Sequence, residues 1–160
     1  MKNIIVLLFA CILFSSCHKN YHLTIYDVDF YPISDTNNTY IKTPFLDTSI
    51  VLYADIRISP PYCEFGVRPD DIIRENSIID STKSIICDKD LYLETDTLKA
   101  NTNIIKYFTE SKYDHDFNLN FIYYGNKKWK KLQGYYKFKF SADLSNKKSI
   151  SDSCIVKLKF

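Results

Sequence analysis

Glycine is scarce in this 160-residue chain, with only 3 residues. That excludes a glycine-rich phosphate loop, and no Gly-Xaa-Ser-Xaa-Gly nucleophile turn occurs. Charge of one sign is missing too: 21 Lys+Arg stand against 19 Asp+Glu, so the total makes no electrostatic case for nucleic acid, and none is expected as a partner. Histidine is limited to His18, His22 and His115; His18 and His22 are spaced as His-Xaa-Xaa-Xaa-His but lie beside Cys17 and lack the glutamate that an H-E-x-x-H metal motif sets between them. Nor is there an apolar run of the roughly 20 residues that a membrane-spanning helix requires.

What is present begins at the N-terminus. Met1-Lys2-Asn3 is a short positive start, and residues 4–14 carry no polar group apart from the thiol of Cys11. A run of that length reads as the apolar core of a signal peptide. The segment Leu13-Phe14-Ser15-Ser16-Cys17 resembles the lipobox of bacterial lipoproteins, although Phe14 stands where Leu, Val or Ile is usual. The resemblance implies cleavage after Ser16 and a lipid on Cys17. Several acyl chains hold a protein to a membrane where one chain binds only reversibly, at about 0.8 kcal/mol per buried methylene. The expected organisation is a signal peptide over 1–16, a lipidated N-terminus and short tether over 17–20, and one domain over 21–160.

The cysteines follow from that division. Cys11 leaves with the signal and Cys17 is acylated, so Cys63, Cys87 and Cys154 remain. Cys154 shares the apolar face of an alternating run with Val156, Leu158 and Phe160, which makes it a buried free thiol. Cys63 with Cys87 is then the favoured disulfide, and three free thiols is the alternative.

Period-two alternation dominates the chain. Residues 21–30 place Tyr21, Leu23 and Ile25 on one face and, across a break, Val28 and Phe30; Pro32 is expected to end the strand. Residues 48–59 place Ile50, Leu52, Ala54, Ile56 and Ile58 together before Pro60-Pro61. Residues 70–75, DDIIRE, read as a loop or one helical turn. Residues 84–93 read as a bent strand or tight hairpin around Asp88-Lys89-Asp90. Asn101 as a cap with Ile104, Ile105 and Phe108 on one face predicts one short helix. Residues 117–124 alternate Phe117, Leu119, Phe121 and Tyr123. Residues 133–144 and 149–160 form a β-hairpin across Ser145-Asn146-Lys147-Lys148, with Tyr136, Phe138, Phe140 and Ala142 facing inward. The sum is an all-β, antiparallel sandwich of about seven strands with at most one short helix.

The acylated Cys17, the mostly-β domain and the segment SIICDKDLYLETDTLKANTNIIKYF at 84–108 resemble small lipoproteins of Bacteroides-type bacteria, a family without an assigned activity. The resemblance covers the lipobox and residues 78–160. It implies an immunoglobulin-like sandwich and supplies no functional residues. Asp80-Ser81-Thr82 and Asp96-Thr97-Leu98 likewise resemble the O-glycosylation triplet of such bacteria.

Two segments carry candidate chemistry. Asp114-His115-Asp116 offers an imidazole between carboxylates, but neighbours on a strand face opposite sides, so a solvated turn accounts for it better than a metal site. Lys127, Lys128, Trp129, Lys130 and Lys131, flanked by tyrosines, suit either a ligand surface for a sugar, a base or anionic head groups, or an edge whose lysines oppose aggregation while Trp129 packs inward. The resulting expectation is a lipid-anchored, non-enzymatic binding or structural module of a Gram-negative cell envelope, placed at the outer membrane, needing no cofactor and meeting an envelope protein or glycan. The alternatives are a metal-dependent or carbohydrate-processing factor and a small outer-membrane β-barrel.

Overall fold

The computed structural model describes residues 21–33, 45–46, 50–59, 72–115, 118–125, 129–130 and 132–159. In chain order its strands are β1 (Tyr21–Pro32), β2 (Phe45–Leu46), β3 (Val51–Ser59), β4 (Ile72–Arg74), β5 (Ser84–Cys87) and β6 (Leu91–Tyr92). They are followed by β7 (Thr97–Leu98), β8 (Phe108–His115), β9 (Asn118–Gly125), β10 (Gln133–Asp143) and β11 (Ser149–Lys159). One sheet has the order β4-β1-β3-β9-β8, the second β2-β11-β10-β5, and β6 and β7 form a separate hairpin.

Setting aside the short β2, β4, β6 and β7 leaves seven strands, four in one sheet and three in the other. Counted along the chain, the first sheet holds the first, second, fifth and fourth, and the second holds the third, sixth and seventh. Every pairing among the seven is antiparallel. This is the strand order of a constant-type immunoglobulin domain, so the fold is an immunoglobulin-like sandwich. Both sheets are open and packed face to face, rather than closed on one another as a barrel requires.

The inner faces carry the alternating apolar residues. Leu23, Ile25, Val28 and Phe30 of β1, Leu52, Ala54, Ile56 and Ile58 of β3, and Leu119, Phe121 and Tyr123 of β9 are buried against Phe138, Phe140, Ile150, Val156 and Leu158 of the other sheet. Aromatic rings span the layers: Phe140 lies 5.7 Å from Phe30 and 5.9 Å from Tyr123, centroid to centroid, in tilted contacts. The break in β1 is a register shift between Ile25 and Asp27, which lets Ile25 and Val28 both point inward.

Past the short β4, one edge of β1 has no strand beside it among the described residues, and side chains take its place. Asn76 accepts from the Ile25 amide at 2.7 Å and donates to the Ile25 carbonyl at 2.8 Å. Asp27 accepts from Val28 at 2.9 Å, and Asp152 of β11 accepts from Phe30 at 2.8 Å. Pro32, next in this series, has no N–H to satisfy.

Pro32 ends β1 as expected, as its last residue and paired with Leu52. Several other expectations are corrected. Residues 72–74 form a strand, parallel to residues 21–23, in place of a loop or helical turn. The expected short helix is a single 3-10 turn, Ile105–Tyr107, and its start is held by Asn103, which accepts from Ile105 at 3.0 Å. Leu91 and Tyr92 pair with Leu98 and Thr97 rather than folding back on β5. Asp114 and His115 end an eight-residue strand, β8, that the alternation rule does not find. Phe117 and Phe160 lie outside the described residues.

Candidate functional site

Trp129 lies after β9, joined to Leu93 by an isolated bridge, and the Lys130 amide donates to the Tyr92 carbonyl at 2.7 Å. Its ring packs against the core, 6.1 Å from Phe108, and its indole nitrogen is buried with no hydrogen-bond partner among the described residues. Gly125 makes room for it: a Cβ there would sit 3.1 Å from Nε1. Trp129 thus packs inward, the second of the two arrangements considered for this segment. Lys130 is exposed, and Lys127, Lys128 and Lys131 lie outside the described residues.

A polar cluster that local sequence gives no sign of closes the side of the sandwich between β8 and β5. Lys83, just before β5, is buried, and its ammonium lies 2.6 Å from both carboxylate oxygens of Glu110 on β8 and 3.1 Å from Asp80. The same ammonium stands 4.4 Å above the Phe121 ring, a cation–π contact. The Tyr123 hydroxyl is buried without a hydrogen-bond partner among the described residues, and burial, then the charge of Glu110, push its pKa far above the ordinary phenol range. Only a long-range signal such as covariation of Lys83 with Glu110 would have revealed the cluster.

This arrangement is a seal rather than a catalytic centre. Glu110 is engaged on both oxygens, and a phenol whose proton is held so tightly cannot serve as a base near neutrality. Further along β8, Asp114 accepts from Arg74 at 2.6 Å and lies 3.0 Å from Lys112. The Arg74 hydrogen bond holds the Asp114 carboxyl below its usual pKa. Asp114 is therefore committed to cations of its own chain, which corrects its reading as part of a solvated turn; Asp116 lies outside the described residues. Among the described residues no three His, Cys, Asp or Glu side chains gather in a way that would hold a metal ion.

Cys87 and Cys154 are free, buried thiols on either side of Phe138, which pairs with both across β10. Burial pushes each pKa up to about 12, the reverse of what an attacking thiolate requires. Cys63, the partner expected for Cys87, and the acylation site Cys17 lie outside the described residues. Ser81 and Thr97 of the two glycosylation-like triplets are exposed, whereas the Thr82 hydroxyl donates to Ile79 and accepts from Asp143.

No protein-family model and no curated protein sequence matches the chain. Among solved structures it is similar to the C-terminal domain of the AgI/II polypeptide BspA of Streptococcus agalactiae, at 7% identity and a TM-score of 0.33, over 82% of this chain and 49% of that one. It is also similar to murine CRIg, at 8% identity and a TM-score of 0.31, over 84% of this chain and 98% of that one. The chain spans about half the length of the streptococcal domain. The fold assignment rests on the strand order and not on these superpositions.

Proposed function

We propose that this chain is a lipid-anchored immunoglobulin-like module of a Gram-negative cell envelope, held at the outer membrane through acylated Cys17, that works by binding rather than by catalysis. The observation that carries the anchoring is a juxtaposition: the lipobox-like Leu13-Phe14-Ser15-Ser16-Cys17 stands immediately before the first strand, which starts at Tyr21. Residues 17–20 are then a tether of at most about 14 Å when fully extended, so the domain would sit against the membrane surface. The binding part of the reading is supported by how the polar groups are used. The buried thiols are deactivated by their surroundings, and Lys83, Glu110, Arg74 and Asp114 are spent on one another.

Metabolic labelling with a radioactive fatty acid tests the anchor. Label on the wild type that disappears in Cys17→Ser is the expected result, and an unlabelled wild type overturns it.

A further inference from the structure

The two outer faces of the sandwich differ in how they treat charge. On the first sheet Arg57 is paired with Asp29, and Asp55 lies on the next strand position but one. On the second sheet the register of β10 and β11 sets Lys139 opposite Ser153, Lys137 opposite Ile155, Lys157 opposite Tyr135 and Lys159 opposite Gln133. Each of four consecutive outward levels thus carries one lysine, two from β10 and then two from β11. The resulting row is about 20 Å long at the usual rise of about 3.4 Å per residue. All four lysines are exposed. The one acid among the outward residues of these two strands is Asp143, at the far end and hydrogen-bonded to Ser149 at 2.6 Å.

The row is not an edge-protection device. Lysines that oppose aggregation belong on edge strands, whereas β10 lies between β11 and β5, and β11 is paired with β2 at Lys157 and Leu158. Four like charges at this spacing repel one another, and their field favours a partner carrying a matching row of negative charge.

We propose that the outer face of β10 and β11 binds an acidic polysaccharide, with Lys139, Lys137 and Lys157 meeting successive anionic groups. Composition separates this partner from other polyanions. Protein interfaces are depleted in lysine and serine at their centres, and on this face Lys137, Lys139, Lys157, Lys159, Ser151 and Ser153 outnumber the exposed Tyr135 and Ile155. Single-stranded nucleic acid calls for aromatic stacking platforms, but the one outward aromatic ring here, Tyr135, already has Lys157 over it at 5.6 Å. An anionic membrane is disfavoured by position. The start of β1 is tied to Glu75 and Asn76, and the next residue, Ser77, receives a bond from the amide of Ser145 in the β10–β11 turn. The lysine row climbs away from that turn, so the start of β1 at Tyr21 lies toward the opposite end of the sandwich.

The proposal deepens the binding-module reading and does not depend on acylation, so a failed fatty-acid label leaves it standing. Affinity electrophoresis of the full chain in neutral detergent through gels containing polygalacturonate or neutral dextran tests it. Retardation by polygalacturonate alone is expected, weakening on the order of tenfold between about 50 mM and about 200 mM salt. Lys137→Glu/Lys157→Glu should abolish it, while Lys147→Glu/Lys148→Glu, an equal change of charge in the turn at the other end, should retain it; circular dichroism establishes that both fold. Absence of wild-type retardation, equal loss in both variants, or tighter binding to single-stranded DNA or to phosphatidylglycerol vesicles at the same salt overturns the proposal.

Discussion

The carboxylate of Asp152, on β11 of one sheet, accepts the amide hydrogen of Phe30, on β1 of the other, at 2.8 Å. The bond pins the two layers together where no described strand neighbours β1 on that edge, and it satisfies a main-chain donor that would otherwise be left in a poorly hydrated seam. A hydrogen bond to a charged acceptor is worth about 1.5–3 kcal/mol. Asp152→Ala should lower the unfolding free energy by that amount in urea titration, and Asp152→Asn, which keeps an acceptor oxygen, by less than half as much. Equal losses in the two variants would mean that the amide is not held in this way.

The Lys83–Glu110 pair predicts a sharper non-additivity. Lys83→Met strands Glu110, and Glu110→Leu leaves a buried ammonium with only Asp80 beside it, so each single change should cost about 2–4 kcal/mol, Glu110 being partly exposed. The double variant Lys83→Met/Glu110→Leu should recover most of the loss, because a packed apolar pair has no desolvation penalty to offset. A double-mutant cycle by urea unfolding reads the coupling, and simple additivity would refute it.

Gly125 is defined by what surrounds it. A Cβ would lie 3.0 Å from the Ile50 carbonyl oxygen and 3.1 Å from the Trp129 indole nitrogen, and the first of these is backbone that cannot swing aside. Gly125→Ala should cost about 1–3 kcal/mol and shift the emission of the single tryptophan as its ring is displaced. An unchanged midpoint with unchanged emission would show that Trp129 does not pack there.

The thiols make a prediction about pH. Burial raises Cys87 and Cys154 to about 12, so in the folded protein they stay protonated and should react with a disulfide reagent orders of magnitude more slowly than after unfolding in urea. Because the unfolded pKa is about 8.5, the unfolded chain loses these protons first. Their contribution to stability is complete below about pH 8.5 and is lost progressively as the pH rises toward 12. Cys87→Ala/Cys154→Ala should flatten this alkaline loss in pH-dependent unfolding curves; an unaltered profile would assign it to other groups.

The strands that sequence reveals are those with a dry inner face and a wet outer one. Leu23 and Ile25, Ile50 to Ile58, Leu119 to Tyr123, and the hairpin from Tyr136 to Leu158 all show the period of two, and all are buried as it requires. β8 escapes because it inverts the rule. Its residues opposite Tyr123, Phe121 and Leu119 are Glu110, Lys112 and Asp114, charges on the side facing the sandwich; Lys83 pairs with Glu110, and Arg74 joins Lys112 on Asp114. β4 escapes because three residues are too few for a period, and the 3-10 turn at Ile105–Tyr107 because one turn satisfies the same spacing as the beginning of a helix.

Alternation and turn chemistry are local properties of the backbone, so an all-β chain with inward and outward faces, the C-terminal hairpin and the inward thiol of Cys154 are legible in residue order. Which distant side chains complete one another is settled on folding: Asn76 and Asp152 on the outer edge of β1, Lys83 against Glu110, and four lysines from two strands merged into one row. Those relationships depend on register and on the closing of one sheet over another. No short window contains the two partners whose contact makes each of them meaningful.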